Sequence, residues 1–371
     1  MDVNAKRGVK HVTAEWQMPQ ILDSLAKALN GTGPALRFAE QSNPSLESVP
    51  ENIAVVVATS GSAGKAKQIG LSAAALFSSA RASNDYLGAA PGDTWSLLLP
   101  LTHIAGVNVL VRSLELGREP IDLRNTTLET IPTADFTAIV PTQLHRAVNE
   151  SGFLLRHLQS AHRVLVGGAM LSGELRKSAI DAQLQVTATY GMTETSGGCV
   201  YDGIPLEGTE VEIREGRIAI KSTCLASYYL PTRPGETITP IADSDGWYLT
   251  NDLGHFDDGR LVVVGRIDDV IISGGEKISL RAVEEFLTPL LDGEVVAFTH
   301  PDAEWGERLA IATTASIEVD YWQELQGKIR ISLGRHAIPQ DIYRMAEIPR
   351  GALGKVDREK VLRTIKSKES R

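Results

Sequence analysis

The nine residues Thr59-Ser60-Gly61-Ser62-Ala63-Gly64-Lys65-Ala66-Lys67 follow directly on an apolar run, Ile53-Ala54-Val55-Val56-Val57-Ala58. A short β-branched run ending in a glycine-rich segment reads as a buried strand entering a loop. Glycines let backbone turn tightly and approach a ligand closely. Hydroxyls and free N–H groups wrap phosphate oxygens, and lysine supplies positive charge. The loop therefore reads as a grip on a polyphosphate, or as a solvated turn between two strands. It is not a Walker A loop. Only two residues separate Gly61 from Gly64, and Ala66 follows Lys65 where that pattern needs Ser or Thr. Gln68-Ile69-Gly70-Leu71 looks extended, with helix character starting near Ser72.

Working outward, strand-like runs at Ile53–Ala58, Trp95–Leu99, Phe136–Val140, Val164–Val166 and Val186–Thr189 alternate with helical patterns at Ser72–Leu87, Gly106–Leu116, Thr142–Glu150 and Gly173–Ala182. This alternation predicts an α/β layer on a largely parallel sheet, with ligands outside the carboxyl ends of the strands. From about 205 to 265 the pattern becomes short β pieces. After Arg266 it becomes a compact α+β unit. The fold class is α/β: a large N-terminal domain of α/β layers (1–267) carrying a β subdomain, then a small α+β domain (268–371). Residues 1–50 offer a short amphipathic helix, Gln20–Leu29, and no chemistry.

The chain has 371 residues, 43% of them hydrophobic and 22% charged, ordinary values for a globular protein of about two domains. A formal charge of −9 argues against a general nucleic-acid binder and leaves small anionic ligands open. Cys199 and Cys224 have no metal or redox spacing and read as small core hydrophobes. No apolar run reaches membrane-spanning length and no signal peptide stands out, so a cytoplasmic location and no membrane insertion are expected.

Four further clusters carry chemistry. In Tyr190-Gly191-Met192-Thr193-Glu194, Thr193 can donate to a phosphate and Glu194 can hold Mg2+; the same residues suit a helix start. Asp252, in Thr250-Asn251-Asp252, can accept both hydroxyls of a ribose or sit in a β-turn. Gly265-Arg266-Ile267-Asp268-Asp269 lies at the expected domain boundary, with Arg266 suited to phosphate or ribose. In Gly351-Ala352-Leu353-Gly354-Lys355, a Gly-flanked lysine can swing into a cleft or simply precede a helix on the surface.

Taken together and in this order, these clusters resemble the acyl-adenylate-forming superfamily: acyl- and aryl-CoA ligases, luciferases and adenylation domains. The likeness covers residues 53 to 360. Thr59–Lys67 is similar to that family's T-S-G-[ST]-T-G-x-P-K phosphate loop, and Tyr190–Glu194 to its Y-G-x-T-E. Thr250–Asp252 is similar to T-G-D, Gly265–Asp269 to G-R-x-D-D, and Gly354-Lys355 to the G-K bearing the catalytic lysine. Gly167-Gly168-Ala169 matches the adenine-side loop, and Pro100-Leu101-Thr102-His103-Ile104-Ala105-Gly106 matches the P-L-x-H-x-x-G that lines the acyl pocket. The segment Pro100–Ser113 is most like the o-succinylbenzoate–CoA ligases of menaquinone biosynthesis. There Arg112 either faces a second substrate carboxylate or pairs with Glu115 on the helix surface.

The resemblance implies an ATP-dependent carboxylic acid–CoA ligase working through an acyl-adenylate, with ATP, Mg2+ and coenzyme A as co-reactants. Its partners are small molecules and no nucleic acid, and a homodimer is compatible with it. The roles it implies are as follows. Thr59, Ser60, Gly61, Ser62, Gly64, Lys67, Gly168, Ala169, Tyr190, Gly191, Met192, Thr193, Asp252 and Arg266 bind the nucleotide. His103, Gly106, Arg112 and Gly168 meet the acid. Glu194 holds the metal, and Lys355, Thr193 and His103 serve catalysis. Asp268 is the hinge that brings Ser273, Gly274 and Gly275 towards the CoA channel. The chain departs from the family pattern at Ala63, Ala66 and Asn251, and only about fifty residues precede the loop, so a shortened first subdomain is expected.

Overall fold

The computed structural model describes residues 5–39, 46–59, 67–124, 132–150, 152–233, 235–273, 276–302, 306–350 and 356–369. The chain divides into two compact units: Met1–Thr250 with His255–Val262, and Asn251–Gly254 with Val263–Arg371.

The first unit is α/β, but the expected single sheet is two. Among the described residues, one seven-stranded sheet has the order Thr239–Pro240, Tyr228–Leu230, Lys67–Ser72, Ile53–Thr59, Ala35–Phe38, Lys6–Val12, Ser48–Pro50. The other has the order Ile204–Pro205, Gly197–Tyr201, Val186–Met192, Arg163–Val166, Phe136–Ile139, Trp95–Leu97, Ile121–Asp122. The second is parallel from Val186–Met192 to Ile121–Asp122 and antiparallel where Gly197–Tyr201 joins. Strand periodicity tells which residues are buried but not which strand is the neighbour, so the alternation left the division into two sheets open. Residues 5–50 are also richer than expected. Lys6–Val12 and Ala35–Phe38 pair in parallel and carry Ile53–Thr59 beside them.

Helices Ala73–Leu87 and Ile104–Leu116 each end at a left-handed glycine, Gly88 at φ 68° and Gly117 at φ 72°. Ser72 caps the first by accepting from the Ala75 amide. The helix Phe153–Ser160 has no counterpart in the sequence reading. From Thr209–Arg214 and Arg217–Ser222 to Tyr248–Asp257 and Arg260–Arg266, strands replace the alternation, as the sequence pattern predicts. Cys199 and Cys224 are buried and unbridged.

In the second unit, alternation along two strands sorts the core. Ala297, Leu309 and Ile311 face Val283, Leu287, Leu325 and Ile329 of the helices Leu280–Leu287 and Val319–Ser332. Val296, Phe298, Ala310 and Ala312 face Val361 and Ile365 of Arg358–Glu369. Arg358 binds three groups in this unit: the Ala297 carbonyl at 3.0 Å, Asp269 at 3.1 Å and Glu284 at 2.8 Å.

His157 ties the second sheet to its covering helix. Its Nδ1 donates to the Pro132 carbonyl at 2.8 Å, so Nε2 accepts from the Ser96 hydroxyl at 2.8 Å. Burial pushes its pKa below the ordinary 6.5. Below that pH the unfolded chain takes up a proton that the folded chain refuses. The stability present above it is therefore lost as the pH falls towards the folded value. Denaturant titrations between about pH 7 and pH 5 should show stability falling on acidification, and less steeply in His157→Gln. An equal slope in the variant would remove His157 from this role.

Candidate active site

The apolar run Ile53–Thr59 pairs antiparallel with Lys67–Ser72 up to Thr59 opposite Lys67. The two strands thus form a hairpin whose connection, 60–66, lies outside the described residues. Tyr228–Leu230 adds to the far edge of Lys67–Ser72, with Tyr229 opposite Ile69. Lys67 is exposed, and its Nζ stands 4.8 Å from the centroid of the Tyr229 ring. That is a cation–π distance. The Tyr229 hydroxyl donates to Glu194 Oε1 at 3.0 Å. Burial and then the Glu194 charge raise the Tyr229 pKa well above its ordinary value, so the phenol remains a donor.

Glu194 lies in a three-residue 3-10 turn, Thr193–Thr195, which follows the strand Val186–Met192. The turn replaces the helix start that the sequence also allowed. Thr195 Oγ1 accepts from the Met192 amide at 2.9 Å and donates to the Gly197 carbonyl at 2.6 Å. The Ala226 amide donates to the Glu194 carbonyl at 2.8 Å. A Cβ on Gly191 would lie 2.0 Å from the Gly197 carbonyl oxygen, so this position admits no side chain. Thr193 is buried; Tyr190, Gly191 and Met192 are half-buried. The segment Gly167-Gly168-Ala169 lies against this strand: a Cβ on Gly167 would be 2.2 Å from Thr189 Oγ1. Gly168, at φ 81°, and Ala169 are exposed beyond it.

His103 is half-buried and forms the N-cap position of Ile104–Leu116. Gly106 is required there, because a Cβ would lie 2.3 Å from the Pro100 carbonyl oxygen. Arg112 does not make the helix-surface pair with Glu115. It is buried, donates to the Tyr201 hydroxyl at 3.1 Å and lies 4.8 Å from the Trp95 ring centroid. Glu115 pairs with Arg81 instead, at 2.8 Å. The helix turns Arg112 inward, towards Tyr201 and Trp95.

In the second unit, Asp252 is buried on Tyr248–Asp257, and Arg266 ends Arg260–Arg266; they pair at 3.1 Å. Asp268 lies in the 3-10 turn Ile267–Asp269. Ser273 is buried and pairs with Glu276 across a hairpin. Ser60, Gly61, Ser62, Gly64, Gly274, Gly275 and Lys355 lie outside the described residues.

The family model for AMP-binding enzymes matches residues 4–225. The chain belongs to the AMP-binding enzyme family. It is 35% identical over 379 residues to the Mycobacterium tuberculosis protein named "Probable 2-succinylbenzoate--CoA ligase", covering 95% of this chain and 97% of that one. Its fold is shared by Bacillus subtilis o-succinylbenzoate CoA synthetase in complex with the acyl-adenylate OSB-AMP. That match has a TM-score of 0.71 at 23% identity and covers 95% and 82% of the two chains. The same Bacillus protein with ATP and a magnesium ion gives 0.69 at 22%, covering 95% and 83%.

The residues of this AMP-binding enzyme suit Mg2+. Among the described residues, no group of three His, Cys, Asp or Glu side chains converges to hold a metal alone. Mg2+ takes one or two carboxylates and completes its shell with phosphates and water. Glu194 commits Oε1 to Tyr229, and its other oxygen accepts no hydrogen bond from the described residues.

Tyr229 is the residue the sequence reading missed. The only signal was the pair Tyr228-Tyr229 before Pro231, and its partner lies 35 positions away. Tyr229→Phe keeps the ring under Lys67 and removes the donor to Glu194. Calorimetric titration should show Mg2+–nucleotide binding weakened about tenfold, the size of a charge-assisted hydrogen bond, with metal-free nucleotide binding unchanged. Unaltered Mg2+ linkage would refute this part for the hydroxyl.

Proposed function

We propose that this AMP-binding enzyme is a 2-succinylbenzoate–CoA ligase. The observation that carries the reading is the 35% identity running through nearly the whole of both chains. In the first step an oxygen of the substrate carboxylate attacks the α-phosphorus of ATP. The bond to the bridging oxygen breaks, pyrophosphate leaves and the acyl-adenylate remains. In the second step the CoA thiol attacks the acyl carbon, loses its proton and expels AMP.

Such transfer depends on positioning and charge neutralisation more than on covalent help. Thr59 and Lys67 flank the phosphate loop at the close of the hairpin. Glu194 would hold Mg2+, which supplies charge neutralisation at the phosphates. Asp252, buried beside Arg266, would take the ribose hydroxyls. His103 and Gly106 line the acid side, and Lys355 approaches the α-phosphate in the first step. A hinge at Asp268, inside the second unit, would let the chain that follows it carry Lys355 away before the thiol arrives, a hinge mechanism. No helix among the described residues is long and apolar enough to cross a membrane. A cytoplasmic homodimer is part of the proposal, tested by cell fractionation and by sedimentation.

The deciding experiment is a pyrophosphate-release screen over aryl and alkyl acids, with and without CoA. 2-Succinylbenzoate should release pyrophosphate and, with CoA, give AMP and the thioester; no acid-dependent release would overturn the reading. Lys355→Ala should block adenylate formation yet spare thioester formation from supplied acyl-adenylate. Equal loss of both steps would count against that role.

A further inference from the structure

Ile104–Leu116 is buried on most of its circumference, and Val107, Val109, Leu110 and Val111 are fully enclosed. Asn108 is an amide in this apolar setting, equally buried. Its Nδ2 donates to the Ser196 carbonyl at 2.5 Å, where the Ser79 hydroxyl also donates at 3.0 Å. Asn108 Oδ1 is buried with no partner among the described residues. A buried acceptor without a donor is costly, so an apolar residue would serve packing alone better. The amide N–H must therefore repay that cost through the carbonyl it holds.

That carbonyl ends the turn carrying Thr193 and Glu194. Ser196 is left-handed at φ 50°, and Gly197 follows at φ 104°. A non-glycine residue in that region is strained and persists where its surroundings hold it. The Ser196 amide closes the turn on the Thr193 carbonyl at 3.0 Å. A Cβ on Gly197 would lie 2.1 Å from Asn108 Nδ2, so amide and glycine fit each other. The helix that carries Asn108 begins at His103.

We propose that Asn108, assisted by Ser79, is a positioning residue that fastens the Thr193–Glu194 turn to the helix beginning at the acid-side His103. The acid side and the metal side of the first unit are thereby held in register as one body. Tyr229 fixes the Glu194 carboxylate; Asn108 fixes the backbone from which that carboxylate projects. This inference rests on the adenylating reaction proposed above for its kinetic consequence, but not for its structural one.

The test uses Asn108→Ala, which removes the donor, and Asn108→Leu, which keeps apolar packing should the alanine variant fold poorly. Hydrogen exchange followed by mass spectrometry should be faster in a peptide spanning 192–198 in both variants, with the peptide over 104–112 unchanged. In pyrophosphate release, KM for Mg2+–ATP should rise about five- to tenfold, as for loss of one hydrogen bond, while KM for the acid stays within about twofold. Unchanged exchange at 192–198, or equal rises in both KM values, would overturn the proposal. Should the wild-type enzyme release no pyrophosphate with any acid, the functional reading fails, and the exchange measurement still decides the role of Asn108.

Discussion

The hydrogen bond from the Tyr229 hydroxyl to Glu194 ties the two sheets of the first unit to each other. Tyr229 belongs to the sheet that contains the Ile53–Thr59 and Lys67–Ser72 hairpin; Glu194 belongs to the turn at the end of a strand in the other sheet. A half-buried phenol needs an acceptor, and a half-buried carboxylate needs donors, so each satisfies the other. The same ring lies against Lys67, so one side chain contacts both a cation and an anion.

Around this contact the backbone is held by groups that do no chemistry. Ala226 holds the Glu194 carbonyl, and Asn108 and Ser79 hold the Ser196 carbonyl. Gly191 and Gly197 leave room that no side chain could share. Further along, Arg112 joins Tyr201 and Trp95 inside the same layer. The second unit follows a similar economy on a smaller scale. There Arg358, at the start of the last helix, binds both Glu284 and Asp269, next to the expected hinge. Burial raises the Glu284 pKa, and the Arg358 charge opposes that shift.

Much of this was legible in the chain. The elements at Ile53–Thr59, Ala73–Leu87, Ile104–Leu116 and Leu280–Leu287 announce themselves by periodicity and by Ser or Gly at their ends. The glycines at 106, 167, 168 and 191 mark close approaches that the structure supplies with named obstacles or a left-handed φ. The pairing of Arg112 with Glu115 was misread because helical spacing gives neighbours along a helix but not which face the fold covers. The helix Phe153–Ser160 was missed because its apolar residues serve a sheet formed elsewhere.

By itself the sequence determined the family, the α/β class and the order of the chemical groups. Those follow from local patterns: β-branched runs, glycine-rich loops, and hydroxyl, carboxylate and lysine positions in a set order. Only the tertiary structure decided that the strands divide between two sheets, that Arg112 turns inward, and that Tyr229 and Asn108 reach the Glu194 turn. Glu194 and Tyr229 stand 35 residues apart, and Asn108 and Ser196 stand 88 apart. No local pattern encodes such pairs. They exist because two sheets and the helices over them must bury their apolar faces together, and polar groups trapped between them have to find one another.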